Sequence, residues 1–175
     1  VGSIIKSVPE ESLLILDEAY GEFAPEGTLP PIDVDNSRVI RMRTFSKAYG
    51  LAGMRIGYAI GNAGMIAEFN KVRNHFGLSR LSQIAALEAI KDQQYLKLVQ
   101  QQVNNALQRI EQIALANQLN PLPTAANFVT IDCGRDGDYA VSVMKGLIER
   151  GVFVRMPGVT PLNRCIRITA GLSKE

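Results

Sequence analysis

A lysine in a glycine-rich stretch has the clearest chemical potential in this sequence. Lys47 lies within residues 44–58, where the hydroxyls Thr44 and Ser46 precede it and Arg55 follows it. Glycines allow a loop backbone to approach a ligand closely, while hydroxyls and a guanidinium bind anionic oxygens. The stretch therefore predicts a site for an anionic cofactor that is linked to the Lys47 amine.

An acidic residue follows the strand predicted upstream of that loop. Residues 13–16 are consecutive large aliphatics, which favour a strand covered on both faces, as in a parallel sheet. Asp17 comes directly after them, and the carboxyl ends of strands in open α/β sheets border the crevice where ligands bind. Glu18 is expected to face away from Asp17, because neighbours on an extended chain point to opposite sides. We therefore place Asp17, but not Glu18, in the predicted site.

These two segments together resemble a known family. Residues 17–20, Asp-Glu-Ala-Tyr, and residues 44–58, Thr-Phe-Ser-Lys-Ala-Tyr-Gly-Leu-Ala-Gly-Met-Arg-Ile-Gly-Tyr, are similar in order and separation to the pyridoxal-phosphate aminotransferases of fold type I. Within that family the closest likeness is to the histidinol-phosphate aminotransferase group. The similarity extends to residues 165–169, Cys-Ile-Arg-Ile-Thr, and so covers nearly the whole chain. A motif of many residues in its expected context is much stronger evidence than a lone lysine.

The resemblance implies a pyridoxal 5'-phosphate cofactor and a role for each polar residue of the two segments. Lys47 would attach to the cofactor aldehyde and move protons at the substrate α-carbon. Asp17 would keep the cofactor's pyridine nitrogen protonated, because a nearby carboxylate favours the charged form. Tyr20 would hydrogen-bond the phenolic oxygen. The phosphate pocket would be lined by Thr44, Ser46 and Arg55.

Two arginines near the end of the chain are implied as substrate ligands. Arg167 lies in a short apolar strand, and the resemblance implies that it clamps the anionic end of the substrate, such as the α-carboxylate of glutamate. Arg155 resembles the arginine that reaches the substrate phosphate in histidinol-phosphate enzymes. From the residues alone, a strand arginine is equally a half-exposed surface side chain. The substrate assignment therefore depends on Arg155.

Charge and hydropathy exclude other classes of function. The 19 basic and 17 acidic residues give a formal net charge of +2, which offers no basis for nucleic-acid binding. The local basic cluster of Arg38, Arg41 and Arg43 alternates with apolar residues, which favours a solvated strand edge. No stretch approaches the ~18 apolar residues of a membrane span, and we expect no membrane association.

The cysteines and the histidine carry no predicted chemistry. Cys133 and Cys165 adjoin strand-like apolar runs, which suits reduced core thiols and a cytoplasmic location. With two separated cysteines and a single histidine, His75, no metal site is predicted. His75 lies at a predicted helix boundary, and we leave it out of the mechanism.

We expect an α/β fold with two domains. Residues 1–93 are expected to be the C-terminal part of the large parallel-sheet domain of a fold type I transferase, with strands at 13–16, 39–42 and 56–60 and helices at 62–72 and 79–90. Residues 94–175 are expected to be a bridging helix and a smaller α+β domain. Its predicted elements are a helix with an apolar stripe from 96 to 114 that is ended by residues 120–123, strands at 128–131, 152–154 and 165–168, and a helix at 138–150.

The length of 175 residues is short for this family, which needs an upstream half. The chain begins in what is predicted as the end of a helix, and Ser173 before an acidic residue predicts the start of another. We therefore expect a C-terminal-half fragment, truncated at both ends.

The resemblance also implies a homodimer that acts on a small-molecule amino donor and a 2-oxo acid. Histidinol phosphate with 2-oxoglutarate or glutamate is the first candidate pair. Three alternatives remain open. They are an aromatic amino-acid aminotransferase, a pyridoxal-dependent decarboxylase or lyase on the same fold, and an inactive fragment with a partial site.

Overall fold

The structure is a computed structural model that describes residues 1–172. It divides into two compact units, one ending at Leu98 and the other beginning at Val99. The helix predicted to start at Ser173 lies outside the described residues.

The first unit is built around a mixed three-stranded sheet in the order β1, β2, β3. Strand β1 (Leu14–Asp17) pairs in parallel with β2 (Val39–Thr44), and β2 pairs antiparallel with β3 (Gly57–Ile60). Because β1 and β2 are parallel, their carboxyl ends meet at one edge of the sheet. Asp17 ends β1 at that edge, and the chain leaves β2 there toward Lys47. The three predicted strands are confirmed.

The prediction that β1 is covered on both faces is wrong for the part of the chain that the structure describes. Half-buried and exposed residues alternate along it, and Ile15 is 61% exposed. The physical reason is the position of β1 at the edge of its sheet. Residues 1–172 supply neither a strand beyond β1 nor a layer over Ile15.

The first unit also contains the helices α1 (Gly2–Lys6), α2 (Ala63–Glu68) and α3 (Arg80–Lys91). The side chains of Asn62 and Ser79 cap α2 and α3, because each accepts a backbone N–H from the first helical turn. The helix predicted to reach Val72 is wrong in length. It changes at Phe69 to a single 3-10 turn, and Val72 is exposed, so no packed apolar face extends the helix.

The second unit is a helix-and-sheet structure, which confirms the α+β prediction. Helix α4 (Gln93–Ala116) carries residues of both units and is followed by β4 (Asn120–Pro121), β5 (Phe128–Asp132), α5 (Gly137–Glu149) and β6 (Cys165–Thr169). The three strands form an antiparallel sheet in chain order. Its core is a cluster of buried side chains that includes Leu107, Val129, Ile131, Ala140 and Ile166. The predicted apolar stripe of α4 supplies Leu107 and Ala114 to this core.

Two segments of the second unit differ from their predictions. Residues 152–154 form no strand, because Gly151 ends α5 in a left-handed conformation and Phe153 is left 85% exposed. The helix predicted to be ended by residues 120–123 already ends at Ala116, and Asn120 and Pro121 form β4. Pro121 is tolerated because β4 is an edge strand, where a missing N–H costs no ladder hydrogen bond.

Cys133 and Cys165 are both free and buried, as predicted. Across residues 1–172, no helix has the length and apolar character to cross a membrane. Over the same range, no group of three or more His, Cys, Asp or Glu side chains lies close enough together to bind a metal ion.

The end of β5 is fixed by a carboxylate. Asp132 Oδ1 accepts the Gly134 N–H at 2.9 Å, and the Arg164 guanidinium donates to Oδ2. The Gly134 N–H and, beyond it, Arg164 hold the pKa of Asp132 below its ordinary value, against the opposing effect of burial. Because the pKa is lowered in the folded state, this stabilisation is present above the ordinary carboxyl pKa and is lost as the pH falls through the folded one.

We predict that Asp132→Asn lowers the free energy of unfolding at neutral pH, because a neutral amide is a weaker acceptor for the Gly134 N–H and loses the ion pair with Arg164. The difference from the wild type should vanish in acid. Urea unfolding at a series of pH values, followed at β5 by NMR, measures it. Glu149→Gln, an exposed carboxylate at the end of α5, is the control. A deficit that does not change with pH would contradict the assignment.

Candidate active site

The loop between β2 and β3 presents Lys47 on a tight turn. The Gly50 N–H donates to the Lys47 carbonyl at 3.0 Å, and the Leu51 N–H donates to the Phe45 carbonyl at 2.9 Å. Phe45 and Ala48 are buried, whereas Lys47 between them is exposed. The turn therefore anchors itself through its apolar residues and leaves the lysine amine accessible.

The loop packs on aromatic side chains and on helix α3. The Phe45 ring centroid lies 4.9 Å from that of Tyr49 and 5.5 Å from that of Tyr58. Phe45 also belongs to a buried cluster with Ile56 and with Ala86 of α3. Such packed aromatic pairs contribute beyond their buried area. The loop is thus attached both to the sheet and to α3.

A buried serine of α3 ties down the far side of the loop. Ser82 donates its hydroxyl to the Met54 carbonyl at 2.7 Å. This bond satisfies a loop carbonyl just before Arg55, and it adds a polar attachment to the apolar one at Ala86. Sequence reasoning missed Ser82, since no local pattern distinguishes it from the other residues of the predicted helix 79–90.

The end of β1 meets the lysine loop through Tyr20. The Lys47 Nζ lies 5.0 Å from the centroid of the Tyr20 ring, within the range of a cation–π contact. Asp17 is exposed, and its Oδ1 accepts the Ala19 N–H at 3.0 Å. An amine, a phenol and a carboxylate therefore lie along the edge where β1 and β2 end.

The predicted phosphate ligands lie in the same loop. Thr44 Oγ1 accepts the Ser46 N–H at 3.0 Å, which orients both residues at the start of the loop. The Thr44 hydroxyl keeps its own proton to donate. Arg55 follows at the far end of the loop with a left-handed backbone (φ 48°), and its Nη1 donates to the Ala52 carbonyl at 2.8 Å. Most of the exposed Arg55 guanidinium remains available to an anion.

The prediction that Arg38, Arg41 and Arg43 form a solvated strand edge is wrong. Arg41 is 4% exposed, and its Nε donates to Glu18 Oε1 at 2.6 Å. Arg43 Nε donates to Glu18 Oε2 at 3.0 Å, and Arg38 Nη1 donates to the Val8 carbonyl at 2.8 Å. Glu18 itself is 5% exposed and faces away from the exposed Asp17, in agreement with the prediction for that residue.

Sequence reasoning missed this cluster because the carboxylate and the two guanidiniums are far apart in the chain. The available signal was an acid at the end of one predicted strand, with arginines at alternate positions of the next. Burial opposes the Arg43 charge, but the hydrogen bonds to Glu18 and Tyr58 outweigh it and raise the Arg43 pKa. Burial also raises the pKa of Tyr49 and that of Glu22.

In the second unit the structure brings Arg155 and Arg167 together. Their backbones exchange two hydrogen bonds as an antiparallel pair, with N···O distances of 3.1 and 2.6 Å. Residues directly opposed in this way project to the same face. The Arg167 guanidinium lies 4.5 Å from the centroid of the Phe128 ring, and its buried Nε has no hydrogen-bond partner among residues 1–172. A buried N–H of this kind is the donor that an anionic ligand would satisfy.

Comparison with known proteins identifies the family. The family model "Aminotransferase class I and II" matches residues 3–175. The chain belongs to this family. Two relatives named histidinol-phosphate aminotransferase, from Geobacillus sp. (strain WCH70) and Bacillus subtilis (strain 168), are 36% and 35% identical to this aminotransferase chain over 176 residues. Each alignment covers 99% of the chain and 47% or 48% of the relative.

Solved structures of aminotransferases confirm the fold. The histidinol-phosphate aminotransferase of Sinorhizobium meliloti, crystallised in complex with pyridoxal-5'-phosphate, superposes with a TM-score of 0.93 at 50% identity. This match covers 98% of the chain and 48% of the solved one. The chain thus spans about half the length of the relatives it matches, and the predicted α/β architecture of a fold type I transferase is confirmed.

Gly57 allows β3 to lie against β2 beside the loop. A Cβ at this position would lie 2.6 Å from the Arg43 carbonyl oxygen, so Gly57→Ala must displace one strand. We predict a loss of about 1–3 kcal/mol in the free energy of unfolding, typical of overpacking, together with faster amide exchange at Leu51. Thermal melts and NMR exchange measure these effects. Gly53→Ala, which meets no atom within 4 Å, is the matched control, and equal effects from both variants would contradict this account.

Proposed function

We propose that this chain carries the cofactor-attachment and substrate-binding residues of a pyridoxal-phosphate-dependent aminotransferase. The proposed reaction exchanges an amino group between histidinol phosphate and 2-oxoglutarate or glutamate. The observation that carries this proposal is the exposed Lys47 amine, 5.0 Å from the Tyr20 ring at the strand end that bears Asp17. The likeness to a 50% identical relative with the cofactor bound supports it.

The residues present fit this cofactor. An accessible amine suits its aldehyde, and an exposed carboxylate suits a protonated ring nitrogen. Its phosphate requires hydrogen-bond donors whose protonation state does not change near neutral pH. The hydroxyls of Thr44 and Ser46 and the guanidinium of Arg55 are donors of this kind. Arg55 gives one N–H to the Ala52 carbonyl, which fixes the side chain and leaves a fork for phosphate oxygens.

When bound, pyridoxal phosphate supplies an aldehyde that takes up amino groups and a ring that accepts electron density from the substrate α-carbon. In the proposed mechanism, Lys47 Nζ would hold the cofactor at rest, would then accept the α-proton of the substrate, and would deliver that proton to the carbon of the cofactor's aldehyde group. Asp17 keeps a proton on the ring nitrogen. Tyr20 donates a hydrogen bond to the phenolic oxygen.

We propose that Arg167 binds the substrate carboxylate, since a guanidinium can do so with two parallel hydrogen bonds. Two observations support this role: Arg167 stacks on Phe128, and its buried Nε finds no hydrogen-bond partner in the part of the chain that the structure describes. Arg155, on the same face of the strand pair, is proposed to reach the substrate phosphate.

We assign residues 1–93 to the C-terminal part of the cofactor-binding large domain, and residues 94–175 to the bridging helix and the small domain. We also propose a homodimer, whose second copy would cover the exposed apolar side chains Leu81, Ile84 and Leu87 of α3. The free, buried thiols of Cys133 and Cys165 support a cytoplasmic location, where thiols stay reduced.

The cofactor role is tested by titrating the chain with pyridoxal phosphate and following visible absorbance. We predict a saturable band in the wild type and in Lys71→Ala, and none in Lys47→Ala. Lys71 is the control because it is an exposed lysine of the same unit, in a surface ion pair with the exposed Glu68. A wild type without a Lys47-dependent band would favour the inactive-fragment alternative.

Turnover assays on the loaded chain then separate the reactions. Transfer from glutamate or histidinol phosphate should release the matching keto product without carbon dioxide. Arg155→Met should raise KM for histidinol phosphate by about tenfold or more, as expected for a lost charge-assisted contact, and should change KM for glutamate much less. Release of carbon dioxide would identify a decarboxylase, and an equal effect on both substrates would contradict the phosphate role of Arg155.

A further inference from the structure

We propose that Glu18 is a positioning residue for Lys47. Its two buried ion pairs hold the strand end that carries Asp17 and Tyr20 against the strand that leads into the lysine loop. This inference rests on the proposed function, because Lys47 must attach the cofactor for its position to matter.

Glu18 joins the end of β1 to β2. The Glu18 N–H donates to the Met42 carbonyl at 2.8 Å, which extends the parallel pairing by one residue. Its carboxylate then reaches Arg41 at 2.6 Å and Arg43 at 3.0 Å, so each oxygen holds one guanidinium. Buried charges are costly unless they are paired, so removal of the Glu18 carboxylate leaves the buried Arg41 cation uncompensated and the partly exposed Arg43 without its partner. Glu18 therefore constrains the separation of the two strands.

A series of contacts connects Arg43 to the lysine loop. Arg43 lies directly opposite Tyr58 across the β2–β3 pair, so their side chains project to the same face, and Tyr58 helps to raise the Arg43 pKa. The Tyr58 ring packs on Phe45, whose N–H donates to the Ile56 carbonyl at 3.2 Å. The Phe45 carbonyl accepts the Leu51 N–H that closes the loop. Contacts thus run without a gap from Glu18 to the turn that presents the lysine.

The backbone of Glu18 connects it to Tyr20. The Gly21 N–H donates to the Glu18 carbonyl at 2.8 Å, forming the turn that carries Tyr20. The Tyr20 ring is the group that Lys47 Nζ approaches at 5.0 Å. Both partners of this approach are therefore attached to Glu18, one through its backbone and the other through its carboxylate.

Glu18 acts through these neighbours and not on the cofactor. It is buried and faces away from Asp17, so it does not join the exposed amine, phenol and carboxylate at the sheet edge. Arg41 strengthens the constraint by donating Nη1 to the Pro30 carbonyl at 2.8 Å, which ties the long loop after Tyr20 into the same cluster.

The test is amide hydrogen exchange, measured by NMR on the cofactor-free chain, in wild type, Glu18→Gln and Glu68→Gln. Glu68 is the matched control, an exposed carboxylate of the same unit in a surface ion pair. We expect Glu18→Gln to speed exchange at Gly50 and Leu51 at least about tenfold, equivalent to about 1.4 kcal/mol, relative to the α3 amides. Glu68→Gln should have no effect. Wild-type rates in the loop, or the same acceleration throughout the unit, would overturn the proposal.

Arg43→Lys is the second variant, and it decides the question if Glu18→Gln does not fold. It keeps the charge at a partly exposed site but loses the planar fork that serves Glu18 and Tyr58 together. We expect faster exchange at the same loop amides and a higher Kd for pyridoxal phosphate in equilibrium dialysis. A folded Arg43→Lys chain with wild-type loop protection would overturn the proposal. Failure of the wild type to bind pyridoxal phosphate would count against the proposed function alone, because the exchange comparison does not involve the cofactor.

Discussion

A carboxylate buried between two guanidiniums sets the geometry of the first unit. Glu18 follows β1, and Arg41 and Arg43 belong to β2, so their ion pairs cross the one parallel strand junction that the described residues contain. Because an unpaired buried charge is costly, the buried Glu18 and Arg41 depend on each other, and the partly exposed Arg43 adds a second partner for the carboxylate. The arrangement fixes the ends of β1 and β2 relative to each other, and the candidate site lies at those ends.

The lysine loop is fixed by the burial of apolar side chains. Phe45 and Ala48 are buried on either side of Lys47, and the absence of a side chain at Gly57 lets β3 lie against β2. Helix α3 adds a hydrogen bond from the Ser82 hydroxyl to the Met54 carbonyl, near the end of the loop. A loop held this firmly can present one exposed amine in a defined place, as expected of functional loops on a rigid scaffold.

Local patterns carried most of what could be predicted. The apolar stripe of α4 depends on neighbours in sequence, and this prediction is confirmed. The failures have tertiary causes. The burial of Arg41 depends on a carboxylate that lies far from it along the chain, and the exposure of Ile15 depends on what lies beyond β1. Likewise, no local pattern indicated that Phe128 would lie beneath Arg167.

The most direct test of this account is to locate the cofactor by chemistry. The chain is incubated with pyridoxal phosphate, reduced with borohydride to fix any lysine-linked cofactor as a stable amine, digested, and mapped by mass spectrometry. The account predicts one modified peptide, with the label on Lys47. A label distributed over the other exposed lysines, such as Lys71 and Lys91, or its absence from Lys47, would contradict it.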